Sequence, residues 1–317
     1  MSADLPRCAV LGTGTMGAQI ALSLALGGAN VTLWGRRAEA LAPALERCED
    51  GFNFLVDQGL GEAPDKGTVL GRITAEPDLG AAVTDAGFVI EAVAEDLALK
   101  QAILTEAEAT AAIDAVLSST TSAISATDIQ SALLRPGNFC IAHYAQPAHL
   151  VELVEVVPGK HTEQRATDAT IALLTATGKT PVLCPDIPGF LWARIQHAVL
   201  REFSALVGQG LVTPEACDTI LKVGYASRLP AMGAFEHADL AGLDLINSAA
   251  ARAVWADLSN VSDPGDTPVG ALLREGKIGM KSGSGFYDWR VRDANAFKTA
   301  RDEEIVRRVK IRRGLGA

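Results

Sequence analysis

Six residues near the start of the chain, Gly12-Thr13-Gly14-Thr15-Met16-Gly17, leave an apolar run from Cys8 to Leu11 and enter a second apolar run from Ala18 to Leu26. A strand, a G-x-G-x-x-G turn and a helix in that order leave few folds open. Gly12 permits the tight turn, Gly14 lets backbone approach a pyrophosphate, and Gly17 lets the helix pack against the strand. N–H groups at the helix start, together with the helix dipole, favour an anion there. Gly12, Gly14, Thr15, Met16 and Gly17 are therefore expected to bind a dinucleotide.

The end of the second strand, Asn30 to Trp34, decides which dinucleotide. An NAD site places an Asp or Glu there for the ribose 2'-hydroxyl. This chain has Gly35 followed by Arg36 and Arg37. A carboxylate repels a 2'-phosphate, whereas arginine offers a fork of donors that matches one. The expected cofactor is NADP in preference to NAD, with Arg36 and Arg37 at the phosphate.

Short apolar runs recur between helical patterns at Phe88 to Glu91, Ala115 to Ser118 and Phe139 to Ala142. That alternation predicts an α/β fold with a Rossmann-type doubly wound, mostly parallel sheet. Strands at Val151 to Val157 and Thr180 to Cys184 close this first domain. A Gly/Pro-containing excursion from Ala38 to Gly71 is longer than a simple crossover needs and could overhang the cofactor cleft. Pro185 to Phe190 reads as a hinge into a helix reaching about Gly208. Beyond it, helical patterns at Pro214 to Val223, Glu236 to Leu258 and Thr267 to Glu275 predict an all-α second domain. The division is a dinucleotide-binding domain over 1–186 and a helical substrate and dimerisation domain over 187–317, the latter expected to form a homodimer.

The chain has 317 residues, 48% of them hydrophobic, and a formal net charge of -10. That balance points away from nucleic acid as a partner. The basic run Arg307 to Arg313 reads as the solvated face of a terminal helix. Five cysteines lack C-x-x-C or metal spacing and read as reduced core thiols, with no metal site expected. No signal peptide or membrane-length apolar run is present, so a cytoplasmic protein with a small-molecule substrate is expected.

The second informative stretch is His143-Tyr144-Ala145-Gln146-Pro147, with Glu155 12 residues beyond the histidine. His143 is expected just past the carboxyl end of a strand, where open α/β sheets bind ligands. Glu155 lies in the next strand, within reach of it. An imidazole oriented by a buried carboxylate is held in one tautomer and suits proton exchange with a hydroxyl or carbonyl during hydride transfer.

These motifs occur together with Glu95 and Lys100, the Ser118 to Ser122 run, Asp186-Ile187-Pro188-Gly189-Phe190 and Gly279 to Tyr287. In that order they resemble the 3-hydroxyacyl-CoA dehydrogenase family over nearly the whole chain. The resemblance implies that His143 and Glu155 form the catalytic acid/base pair, that Ser122 hydrogen-bonds the substrate oxygen, and that Glu95 and Lys100 flank the cofactor.

Three departures shape the expectation further. Gly35 stands where the family carries an acid. Ala193 stands where the family carries an asparagine that contacts the reacting oxygen, and a methyl donates no hydrogen bond. His197, four residues on, faces the same way and is a tentative substitute. The excursion has only Arg47 and Lys66 as cations among seven acids, a poor host for coenzyme A phosphates. The chain is also similar to family members that oxidise small free hydroxy acids, including gulonate, carnitine and pyridine-carboxylate dehydrogenases. Arg228 is a tentative clamp for a substrate carboxylate. The expected function is hydride transfer to or from a small carboxylate-bearing alcohol, ketone or aldehyde. A 3-hydroxyacyl-CoA dehydrogenase, an NADPH-dependent imine reductase and a non-catalytic, crystallin-like nucleotide-binding protein stay open as alternatives.

Overall fold

The four-residue strands Cys8–Leu11, Phe88–Glu91 and Val116–Ser119 are buried on both faces, which a sheet achieves only when helices cover both sides. In the computed structural model, which describes residues 5–315, β1 (Cys8–Leu11), β2 (Val31–Trp34), β3 (Ile73–Glu76), β4 (Phe88–Glu91), β5 (Val116–Ser119), β6 (Phe139–Tyr144), β7 (Leu153–Pro158) and β8 (Thr180–Leu183) form one sheet. Its order is β3-β2-β1-β4-β5-β6-β7-β8, parallel except for the antiparallel β6/β7 pair. Strand alternation divides the core: Cys8 and Val10 join Ile20, Leu24 and Phe52 on one face, while Ala9 and Leu11 join Leu104, Leu117 and Phe139 on the other.

The helices that accompany this sheet are α1 (Thr15–Leu26), α2 (Leu41–Asp57), α3 (Lys66–Leu70), α4 (Leu79–Val83), α5 (Leu97–Thr110), α6 (Ala126–Gln130) and α7 (Gln164–Ala176). The excursion is not a flap over the cleft. Its long helix α2 buries Ala44, Cys48 and Phe52 in the same apolar cluster as α1.

Contacts divide the chain into one unit of Met1–Arg194 with Arg301–Ala317 and another of Ile195–Ala300. This differs from the expected 186/187 division at both ends. The hinge and the start of α8 (Trp192–Gly208) hydrogen-bond to the first unit, and the end of the chain returns to it. The second unit contains most of α8, then α9 (Pro214–Thr219), α10 (Ala234–Ala241), α11 (Leu243–Ile246), α12 (Ala249–Asp257), α13 (Pro268–Arg274) and the start of α14 (Ala294–Arg312). The single helix expected over 236–258 is three helices. Gly242 turns at φ 96° between the first two, and Ser248 caps the third by accepting the Ala251 N–H at 3.2 Å. Tyr287, from the Gly279 to Tyr287 motif, donates its hydroxyl to Asp218 at 2.7 Å. Among the described residues no helix is long and apolar enough to cross a membrane.

The returning part of α14 packs Ile305 and Val306 against Leu55 and Leu150, and Glu152 pairs with Arg312 at 3.1 Å and Arg313 at 3.4 Å. His149, next to Leu150 in the chain, has its Nδ1 buried with no hydrogen-bond partner among the described residues. Burial, then the Lys179 ammonium, against an opposing pull from Asp302, lowers its ionisation to about 4. A histidine whose folded value is depressed contributes stability that is full above its unfolded value and lost as pH falls from there towards 4. Stability is expected to drop by about 1–2 kcal/mol between pH 6.5 and pH 5. Urea unfolding of His149→Gln over that window should show the drop abolished; an undiminished drop assigns it to other groups.

Candidate active site

The turn between β1 and α1 is shaped by close approach. A β-carbon at Gly12 would lie 2.5 Å from the Ala92 carbonyl oxygen, and one at Gly17 would lie 1.9 Å from the Gly12 carbonyl oxygen. At Gly14 a β-carbon would meet nothing within 4 Å, because that residue borders open space. The space is a cavity of about 720 Å³ lined by Gly12 to Met16, Gly35 to Arg37, Ala92 to Glu95 and Ser122, among others. No side chain caps α1 and its first turn holds no acid, so its N–H groups and dipole are available to an anion. A dinucleotide phosphate fits these residues. Arg36 and Arg37 line the same cavity, and the Arg37 side chain is 72% exposed with only a 3.9 Å contact to Glu39. Where a β-carbon would stand on Gly35, Thr13 Cγ2 is 2.4 Å away. Arg47, on α2, donates to the Thr13 carbonyl and braces the turn from outside.

Ser122 is exposed in the loop after β5, and a buried ionic network holds that loop. Glu91, at the end of β4, is fully buried. It accepts from Val93 N–H at 2.6 Å, from Ser119 Oγ at 2.6 Å and from Lys100 Nζ at 3.0 and 3.1 Å. Lys100 Nζ also lies 3.2 Å from Glu95 Oε2. The other Glu95 oxygen accepts from the Thr121 hydroxyl and, at 3.1 Å, from Ser122 N–H. Glu95 and Lys100 both line the cavity, and the Lys100 ammonium is engaged by the two carboxylates. Burial pushes the Glu91 carboxyl up, with Lys100 the main opposing influence. Burial also acts to raise Glu95, but the Thr121 bond and Lys100 outweigh it and hold that carboxyl below the usual range. Sequence reasoning missed Glu91. A charged residue ending an apolar strand at the crevice edge is the one signal that marks it.

His143 lies inside β6 rather than past its end, because the antiparallel pairing with β7 extends the strand through Tyr144. His143 and Glu155 face each other in register, and His143 Nδ1 is 2.8 Å from Glu155 Oε2. Both are buried. Burial pushes Glu155 up, but the His143 bond and the amides of Trp192 and Leu191 outweigh it, so the carboxyl stays below its usual range. With Glu155 ionised, Nδ1–H donates and Nε2 is the open nitrogen. The Ser/Thr loop is tied to the same strand, since Thr120 Oγ1 accepts the Tyr144 N–H at 3.2 Å. The cavity lining takes in Ser122 but not His143. Ala193 presents a methyl in the first turn of α8. His197 and Arg228 belong to the second unit: His197 is exposed on α8, and the exposed Arg228 guanidinium lies 5.5 Å from the Tyr225 ring centroid. Among the described residues no cluster of His, Cys, Asp and Glu could hold a metal ion, and all five cysteines are buried free thiols.

The model of the 3-hydroxyacyl-CoA dehydrogenase NAD binding domain matches residues 7–187, and that of the C-terminal domain of the same enzymes matches 189–289. The chain is 30% identical over 306 residues to a 5-formyl-3-hydroxy-2-methylpyridine 4-carboxylate 5-dehydrogenase of Mesorhizobium japonicum, covering 94% of this chain and 95% of that protein. It is 32% identical over 286 residues to the fatty acid oxidation complex subunit alpha of Pseudomonas paraeruginosa, covering 90% of this chain and 39% of that longer subunit. A solved structure of a 5-formyl-3-hydroxy-2-methylpyridine 4-carboxylic acid 5-dehydrogenase, described as an NAD+ dependent dismutase, superposes with a TM-score of 0.88 at 28% identity, covering 97% and 98% of the two chains.

Proposed function

The chain is an NAD(P)-dependent dehydrogenase that belongs to the 3-hydroxyacyl-CoA dehydrogenase family, and on that premise we propose that it interconverts a small carboxylate-bearing alcohol with its aldehyde or ketone, using NADP in preference to NAD. The observation that carries the chemistry is the buried, in-register His143/Glu155 pair. When bound, the nicotinamide gives or takes the hydride. His143 Nε2 takes the hydroxyl proton in oxidation and returns it in reduction. Glu155 stays ionised, fixes the tautomer and stabilises the imidazolium that forms. Ser122 Oγ donates to the reacting oxygen, and Glu95 holds the Ser122 backbone in place.

A free carboxylate substrate, rather than a coenzyme A thioester, is supported by the similarity to a dehydrogenase of a formyl pyridine carboxylate. Arg228 is the proposed carboxylate clamp, and His197 the proposed replacement for the donor that Ala193 lacks. The NADP preference is supported by the missing acid at Gly35 and by Arg36 and Arg37 on the cavity wall. The relative of solved structure is described as NAD+ dependent, so this preference rests on the chain's own residues.

The second unit leaves Phe235 89%, Leu240 75% and Trp255 73% exposed. Apolar side chains this open on a helical unit need cover, and a homodimer supplies it. Buried reduced thiols fit the cytoplasm as the proposed location.

One kinetic matrix tests the reading: NADP+ and NAD+ with a hydroxymethyl pyridine carboxylate, and NADPH and NADH with a formyl pyridine carboxylate and with acetoacetyl-CoA. The free carboxylates should turn over, with kcat/KM about tenfold or more higher for NADP(H), and Arg36→Ala/Arg37→Ala should erase that difference. Faster turnover of acetoacetyl-CoA removes the substrate proposal, and equal use of the two cofactors by the natural chain removes the NADP proposal.

A further inference from the structure

Glu155 is gripped from two sides. Nδ1–H of His143 occupies Oε2, and Oε1 accepts from both Leu191 N–H and Trp192 N–H at 2.8 Å. The second pair comes from a turn with a strained backbone. Gly189 has φ 76°, and Phe190 follows at φ 45°, in the left-handed region that bulky side chains avoid. Two successive left-handed residues swing the next two amides round until both N–H bonds converge on one acceptor, a concave arrangement suited to an anion. Phe190 is also fully buried, with its ring centroid 5.8 Å from that of His143. The start of the turn is fixed by Asp186, whose carboxylate accepts from Ser125 Oγ, Ala126 N–H, Thr127 N–H and Thr127 Oγ1 at 2.7–2.9 Å. The strain is therefore held by an anchored carboxylate on one side and a packed ring on the other.

The geometry points to the opening of α8 as a positioning element for the catalytic pair: the Leu191 and Trp192 amides fix the orientation of Glu155 and hold it as the charged acceptor of the His143 Nδ1–H. This rests on the reading of His143 as the proton carrier. The titratable groups in contact with Glu155 are His143 on β6 and Cys184 just beyond β8, whose Sγ is 3.5 Å from Oε1. Burial first, and Glu155 next, push that thiol up to about 12, so it stays neutral over the working range. Asp186 spends its carboxylate on the start of α6. The two amides are thus the fixed dipoles that favour the charged form of Glu155 and disfavour added protons on the pair.

Trp192 is the first residue of α8, a position where proline is tolerated. Trp192→Pro deletes one of the two N–H groups, while Trp192→Ala removes the same ring and keeps the amide. With histidine labelled with nitrogen-15, NMR titration of the pair should move to higher pH by about one unit in Trp192→Pro and stay in place in Trp192→Ala. The corresponding limb of the kcat/KM profile should move with it. Identical titrations in the two variants overturn the inference. Should Trp192→Pro not fold, Gly189→Ala takes its place: a β-carbon on that left-handed residue misaims both amides, and an unmoved titration again overturns the inference. A titration that moves while the kcat/KM profile stays fixed supports the amide grip and removes His143 as the proton carrier, so the two failures are distinguishable.

Discussion

Replacing Lys100 with methionine is expected to destabilise the first unit by about 3–5 kcal/mol at neutral pH, the cost of leaving a buried charge without its partner. Lys100 is 1% exposed and its ammonium lies within 3.2 Å of oxygens from both Glu91 and Glu95. Glu95 is partly open to water and can rehydrate. Glu91 is fully buried and cannot, so in the variant it takes up a proton or the fold opens around it. Its ionisation, already pushed up by burial, rises further once Lys100 is gone. For a carboxyl raised above its unfolded value, stability falls as pH rises through the interval between the two. The loss should therefore be largest at neutral pH and shrink below pH 5. Chemical denaturation of Lys100→Met, Glu91→Gln and the double variant reads this directly. The double variant should recover most of the loss, because removing both charges also removes their desolvation cost. Additive losses would show that the two residues act independently. A functional loss should accompany the structural one, since Glu95 released from Lys100 no longer fixes the Ser122 amide.

What the sequence makes legible here is whatever has a period or a motif. β1 and β2 read as strands because short, mostly apolar runs alternate between two helical layers, with only Thr32 of β2 less than fully buried. The Gly12 to Gly17 turn reads as a phosphate loop because Gly12 and Gly17 sit where neighbouring backbone leaves no room for a β-carbon, while Gly14 borders the open cavity. His143 and Glu155 are legible as a pair because a 12-residue separation spans one antiparallel connection and returns in register. The illegible parts have physical reasons. Glu91 looks like an ordinary strand end until its burial is seen. Lys100 is legible beside Glu95 only through the family resemblance, and its spacing says nothing of Glu91, the buried carboxylate that also pairs with it. The amides of Leu191 and Trp192 carry no side-chain signature at all; they matter because Phe190 accepts a backbone conformation that its residue type disfavours. The return of α14 to the first unit is carried by long-range contacts such as Val306 with Leu55 and Arg312 with Glu152. The break at Gly242 and the Ser248 cap were readable as helix signals, but apolar periodicity runs through them and masks them.

The larger expected effect on chemistry belongs to His143. Its Nδ1 is committed to Glu155 and its ring is walled by Phe190, so one nitrogen and one orientation are left for proton transfer. Neither residue touches the cavity wall where the dinucleotide is expected. Removing the imidazole should therefore leave cofactor affinity near its natural value while removing the acid/base contribution to turnover, roughly 10²–10⁴-fold. Glu155, deprived of its partner, keeps both amides on Oε1 and remains an anion, so the fold around it should persist. The measurement is the single-turnover rate of hydride transfer in His143→Ala, followed by nicotinamide absorbance, with cofactor affinity measured in parallel by fluorescence. A rate at least about a hundredfold lower, with cofactor affinity within about threefold of the natural chain, is the expected result. Hydride transfer at the natural rate in His143→Ala would contradict the assignment of the His143/Glu155 pair as the proton carrier.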